Sequence, residues 1–220
     1  MTKSAAVLGP AGGIALAAAQ YFIWIYAPVE ATMGIIQKVF YFHLPLAWWA
    51  LISFFGVFLA SVIYLLRRKP FYDRLAQTCA ELGLLFSVLA LITGSLWARA
   101  AWNTWWTWDP RLSTTLIMWF IYAGYMVLRH SVDNPEKMRM VAAVLGVVAF
   151  LNVPLVFLSA RMWRSIHPAV FASRGGGLEQ EMLVTVLFCL AAWGIFIAGL
   201  ALIRLRQLEI GHRIKNLFIF

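Results

Sequence analysis

Apolar residues run along this chain in six long blocks, separated by short stretches where polar and aromatic side chains gather. A helix needs roughly 17–25 largely apolar residues to cross a bilayer. The blocks fall at 11–27, 46–66, 75–97, 112–128, 140–160 and 182–203. Only the third carries a charge inside it, Glu81, and the first is rich in Ala and Gly with Gln20 within. The "ALAAAQ" of that first block has the look of a signal-peptide cleavage site. The apolar run continues past it as "YFIWIYA", however, and "GPAGG" breaks the h-region that a signal needs, so a retained helix is expected. The expected fold class is an all-α integral membrane protein: six transmembrane helices, an interfacial helix on the outer side and a Trp-rich outer loop. One polytopic domain, 1–220, is expected to carry outer loops at 28–45, 98–111 and 161–181.

Composition agrees. Hydrophobic residues make up 63% of the 220 and charged residues 12%, with a mean hydropathy of +0.80. A water-soluble domain carries roughly 25% charged residues. A net charge of +9 would point to nucleic acid in a soluble chain. Here it reads as basic loops that orient helices, and no nucleic-acid partner is expected. Lys3, Arg67, Arg68, Lys69, Arg74, Arg129, Lys137, Arg139, Arg204, Arg206, Arg213 and Lys215 share one side, twelve of the eighteen Lys and Arg. That side is expected to be cytoplasmic, with both termini, in a multi-pass protein of the bacterial inner membrane. The two cysteines, Cys79 and Cys189, lie inside predicted helices and form no C-x-x-C motif; they read as small apolar fillers.

The outer segments are unusual. The first, 28–45, runs into the stretch "IIQKVFYFHLPLAWW", which is aromatic and aliphatic with one charge and suits a helix lying in the interface. The second holds "WNTWWTWDPRL": with Trp97, five of the eleven tryptophans fall within twelve residues. The third, "RMWRSIHPAVFASRGGGLEQE", contains His167 among Arg161, Arg164 and Arg174. Tryptophan belts normally form at both membrane faces. Here nine of the eleven (24, 48, 49, 97, 102, 105, 106, 108 and 163) fall at or near the outer edge, so anchoring alone is a poor account. A flat, apolar, polarisable ligand would use many indole faces. Arg99 and Arg111 flank the cluster on a side that the positive-inside rule leaves poor in arginine, and guanidinium matches carboxylate.

Two of the four histidines, His43 and His167, fall at the outer membrane edge in aromatic surroundings, whereas His130 and His212 sit in polar inner segments. A lone histidine of this kind is usually a hydrogen-bonded structural residue. A pair on separate segments beside a tryptophan platform also suits axial ligation of haem iron. Haem would account for all three residue types: a flat macrocycle for the indoles, propionates for the arginines, iron for the imidazoles.

"GSLWARAAWNTWWTWDPRL" resembles the tryptophan-rich "WWD" signature of the haem-handling proteins of cytochrome c biogenesis. Within that group the chain is similar to the CcmC (haem exporter protein C) family of the system I pathway. "YFHLPLAW" and "NVPLVFLSARMWRSIHP" match that family's two outer histidine segments, so the resemblance covers nearly the whole chain. It implies haem b as cofactor, with His43 and His167 as iron ligands and Trp102, Trp105, Trp106, Trp108 and Asp109 as the haem-presenting signature. Trp97, Arg99, Arg111 and Arg164 complete the candidate site. The implied partners are a periplasmic haem chaperone, CcmE, and an ABC-type complex of CcmA, CcmB and the single-span CcmD, with membrane lipid around them. Two positions depart from the family: Asn103 stands where glycine is usual, and Met162 where an aromatic is. Larger relatives carry extra histidines inside their helices; no block here does.

The leading expectation is therefore a haem-transfer subunit rather than an enzyme. No Walker motif or nucleophile triad appears, so ATP hydrolysis would belong to a partner. A b-type electron-transfer protein and a permease subunit without haem are the competing readings. Glu81 is expected to pair with a neighbouring helix or partner subunit, or else to take part in transfer.

Overall fold

The computed structural model describes residues 3–163 and 178–217. Seven α-helices follow in chain order: α1 (Lys3–Tyr21), α2 (Phe40–Arg67), α3 (Pro70–Trp102), α4 (Pro110–Ser131), α5 (Pro135–Ala149), α6 (Asn152–Met162) and α7 (Gln180–Leu217). Six helical stretches among the described residues are long and apolar enough to cross a membrane, α5 and α6 together supplying one of them, Pro135–Ser159. The all-α membrane fold expected from the pattern is the fold observed.

Local chemistry sets where these helices start. Pro70, Pro110 and Pro135 occupy first-turn positions, where a missing N–H costs nothing. Asp109 and Asn134 cap α4 and α5 by accepting hydrogen bonds from N–H groups of the first turn. The helices are longer than the apolar blocks. At 1.5 Å per residue the 33 residues of α3 reach about 50 Å and the 38 of α7 about 57 Å, against a hydrocarbon core of about 30 Å. Both therefore project beyond the bilayer.

The bundle is organised around two close pairs, α2 on α3 and α1 on α7. Small residues make the second possible. A Cβ placed on Gly12 would lie 2.4 Å from the Phe196 Cα, and one on Gly199 would lie 2.7 Å from the Gly9 nitrogen. Side-chain-free contact of this kind replaces the hydrophobic drive that lipid removes. Between α2, α3 and α4 the core is aromatic, with Phe54 stacked on Tyr122 at 3.8 Å. Trp49 bonds α2 to α7 through its indole N–H, which donates to the Leu190 carbonyl at 2.9 Å. Its ring fills the space left at Gly194, deeper than the edge position expected from sequence. At the break between α5 and α6, Asn152 donates to the Thr114 carbonyl of α4 at 2.9 Å, which ties α6 to the bundle.

The interfacial segment differs from expectation. In place of a separate helix, 28–45 holds a tight bend closed by Glu30 and Gly34, one 3-10 turn (Ile35–Val39), and then the first turns of α2. The Glu30 carboxylate accepts N–H bonds from Met33 and Thr32, which hold it below the usual carboxylate range. Lys38, the one charge in the "IIQKVFYFHLPLAWW" stretch, is buried. Its ammonium donates to the Ile23 and Ala27 carbonyls at the end of the π-helical turn that closes α1 (Phe22–Tyr26). A cation suits a helix C-terminus, where carbonyls lack partners. This charge is consumed by the fold.

The end away from the tryptophans carries a polar chain across four helices. Arg129 of α4 grips Asp73 of α3 with both terminal nitrogens, at 2.7 and 2.9 Å, and also donates to Tyr125 and Gln77. Arg139 of α5 lies 3.9 Å from the same carboxylate. Gln77 donates in turn to Glu81, which Arg204 of α7 holds through two nitrogens. Glu81 therefore pairs with a neighbouring helix of its own chain.

Candidate functional site

Four of the described elements converge at the tryptophan end: the C-terminal turns of α3, the loop 103–109, and the first turns of α2 and α4. Trp97, Arg99 and Trp102 lie on α3 itself, which continues five residues into the segment expected as loop. Asn103 ends it in the left-handed conformation, at φ 56°. Asparagine tolerates that region better than most side chains.

His43 sits in the first turn of α2, against α3. Its Nδ1 lies 3.1 Å from the Ala90 carbonyl and 3.1 Å from the Thr93 hydroxyl. A carbonyl can only accept. The Thr93 hydroxyl directs its proton to the Leu89 and Ala90 carbonyls of its own helix, so towards His43 it too accepts. Nδ1 therefore carries the hydrogen, and Nε2 is the basic nitrogen. That arrangement recurs in metal-ligating histidines, whose second nitrogen donates to a carbonyl or carboxylate. Space for the ring comes from Gly94, where a Cβ would stand 3.0 Å from the His43 Cε1. None of these supporting residues was picked out by sequence reading; the only available signal was the "TG" before "SLW".

The tryptophans divide by exposure. Trp97 is buried, 6% exposed, edge-on to His43 at 6.1 Å and stacked on Trp102 at 6.4 Å; its indole N–H has no partner among the described residues. It is a packing residue rather than a surface one. Trp102, Trp105 and Trp108 are exposed, and Trp106 is half-buried, edge-on to Trp108 at 5.9 Å. Arg99 lies over the Trp105 ring at 5.8 Å, while its Nη1 donates to the Asn103 carbonyl at 2.8 Å and to that residue's side-chain oxygen. It braces the loop as well as carrying charge. Beneath Trp105, Leu91, Ile92, Ser95 and Leu96 line an open groove of about 270 Å³ on the flank of α3.

Asp109 is buried and caps α4, accepting from the Arg111 N–H at 2.9 Å. The D-P-R ending of the motif is thus a helix start: cap, Pro at the first position, then Arg111 in the first turn. If the cap is its role here, Asp109→Asn should keep the loop, because asparagine caps as well as aspartate. Asp109→Ala should cost about 1 kcal/mol of stability. Thermal unfolding of the two purified variants checks this; equal losses in both would assign the role to the charge. His167 and Arg164 lie outside the described residues. Arg161 stands at the end of α6, and Met162 beside it is exposed. No group of three or more His, Cys, Asp or Glu that could hold a metal ion occurs among the described residues.

The family described as Heme exporter protein C matches residues 1–218. The chain belongs to that family. It is 34% identical to Heme exporter protein C of Bradyrhizobium diazoefficiens over 87% of this chain and 73% of that one. It is 31% identical to the protein of that name from Rhodobacter capsulatus, covering 89% and 83% of the two chains. The protein of that name from Escherichia coli K12 is 28% identical, over 83% and 74%. Membership in the exporter family fits a bundle whose distinctive chemistry is gathered at one end. The matched region includes both histidines, the tryptophan cluster and Asp109.

Proposed function

We propose that this chain binds haem b at the tryptophan end of the bundle, on the periplasmic face, and presents it to the periplasmic chaperone CcmE during maturation of c-type cytochromes. It does so as a membrane subunit of an ABC-type complex with CcmA, CcmB and CcmD, in which a partner subunit supplies any ATP hydrolysis. Both termini are cytoplasmic in this reading, in keeping with the basic inner segments.

The observation that carries the proposal is the held imidazole of His43. Its Nδ1–H is committed to Ala90 and Thr93, so the nitrogen of ligand character is Nε2, on a ring that stands edge-on to Trp97, itself stacked on the exposed Trp102. His167 supplies the second imidazole. Trp102, Trp105, Trp106 and Trp108 offer apolar faces to the macrocycle, and their N–H groups suit its polar edge. Arg99, Arg111 and Arg164 meet the propionates, Arg99 while braced against Trp105. Asp109 contributes by setting where α4 begins, and with it the path of the loop.

The test is spectroscopic and physical. Full-length protein, expressed in a host with an intact maturation system and solubilised in detergent, should show a Soret band and co-purify with the chaperone. Alanine at Trp105 and Trp106 should weaken chaperone capture. A wild type without a Soret band would overturn the haem assignment. Haem that binds equally well without these indoles, and no chaperone recovered, would favour electron carriage.

A further inference from the structure

We propose that Thr93 is a positioning residue that sets the donor strength and orientation of His43 towards its haem cargo. The inference rests on the haem reading above and deepens it. The geometry comes from one helical turn of α3 facing the first turn of α2. Ala90 and Thr93, three residues apart, present two oxygens to the same nitrogen, each at 3.1 Å. The next residue, Gly94, leaves the room in which the ring stands. The Thr93 hydroxyl spends its proton on its own helix, with the Leu89 carbonyl 2.8 Å away, so its lone pairs are left for the imidazole. A threonine placed in this way does two things. It fixes the tautomer, and it draws the Nδ1 proton outward, which enriches Nε2 in electron density and strengthens it as a donor to iron.

The hydroxyl is separable from the methyl by substitution. Thr93→Val keeps shape and removes one of the two acceptors; Thr93→Ser keeps the acceptor and removes the methyl. Loss of an outer partner typically costs 10–100-fold in metal affinity. With the Ala90 carbonyl retained, Thr93→Val is expected to weaken haem retention about tenfold, the lower end of that range. Carried by ferric haem alone, a tenfold loss is an upward shift of about 59 mV in the one-electron potential.

Reductive titration of the haem-loaded, detergent-solubilised protein, with its low-spin electron paramagnetic resonance signal, reads both effects. Thr93→Val should raise the potential and shift the signal; Thr93→Ser should match wild type. Gly94→Ala is a second probe. Its methyl would stand 3.0 Å from the His43 Cε1 and push the ring off the same oxygens, so it should move the potential the same way. Potential and signal unchanged in both Thr93→Val and Gly94→Ala would overturn the inference while leaving the haem site standing. Equal shifts in Thr93→Val and Thr93→Ser would also overturn it, since packing of the methyl would then be the cause. Absence of haem from wild type is a different result, and it strikes the underlying function.

Discussion

Arg129→Met should be the most destabilising single change in the bundle, lowering stability by about 3–5 kcal/mol. The reason is what it leaves behind. Asp73 and Arg129 are 7% and 4% exposed at the side chain, and the guanidinium meets the carboxylate through two bonds at 2.7 and 2.9 Å. Removing the cation strands a carboxylate among Tyr125, Gln77 and apolar neighbours, with Arg139 at 3.9 Å as its remaining charge. The double variant Asp73→Leu/Arg129→Met should recover most of the loss, because replacing both members of a buried pair by apolar side chains is close to neutral. Thermal unfolding of the purified variants decides it. A single variant as stable as wild type would mean that Arg139 or lipid headgroups already satisfy Asp73. The second ion pair, Glu81 with Arg204, is a weaker lever: at 24% and 39% exposure it lies within reach of solvent.

The long apolar blocks made the six crossings legible, because nothing else in a chain of this length demands twenty apolar residues in succession. Their ends were not. α3 was expected to stop at 97 and runs to Trp102, since alanine and arginine extend a helix as readily as a loop. That misplacement is also why the tryptophan motif looked like one surface. Continued helix turns Trp97 into the core and leaves Trp102, Trp105 and Trp108 outside. Asp109 was read as part of the haem-presenting signature and Lys38 as the one charge of an interfacial stretch, and both serve backbone groups: the N–H groups opening α4 and the carbonyls closing α1. Such roles depend on where a neighbouring backbone ends, which periodicity does not report. The Asp73–Arg129 pair was hidden in a different way. Its members are 56 residues apart, and each fell just beyond the edge of an apolar block.

His43→Gly should abolish haem retention, and free imidazole should restore it. As a direct ligand, His43 should cost more than the 10–100-fold typical of outer partners, so a loss above about a hundredfold is expected. Glycine is chosen for the space it makes. The ring it removes stands against Gly94, where no side chain projects, and beside the Ala90 and Thr93 oxygens that held its Nδ1. A free imidazole entering that gap meets the same acceptors and so adopts the same tautomer, presenting its other nitrogen as His43 does. The backbone cost of glycine inside α2, about 1 kcal/mol, is controlled by His43→Ala, which should lose haem to the same extent with a firmer helix. The indole wall is independent of this step. Alanine at Trp102 and Trp105 should weaken haem binding in a way that imidazole cannot repair, since the missing element there is apolar surface. The Soret band in detergent, with and without imidazole, measures all of these. Full haem content in His43→Gly without imidazole would remove His43 from the iron, leaving its contacts with Ala90 and Thr93 as helix packing alone.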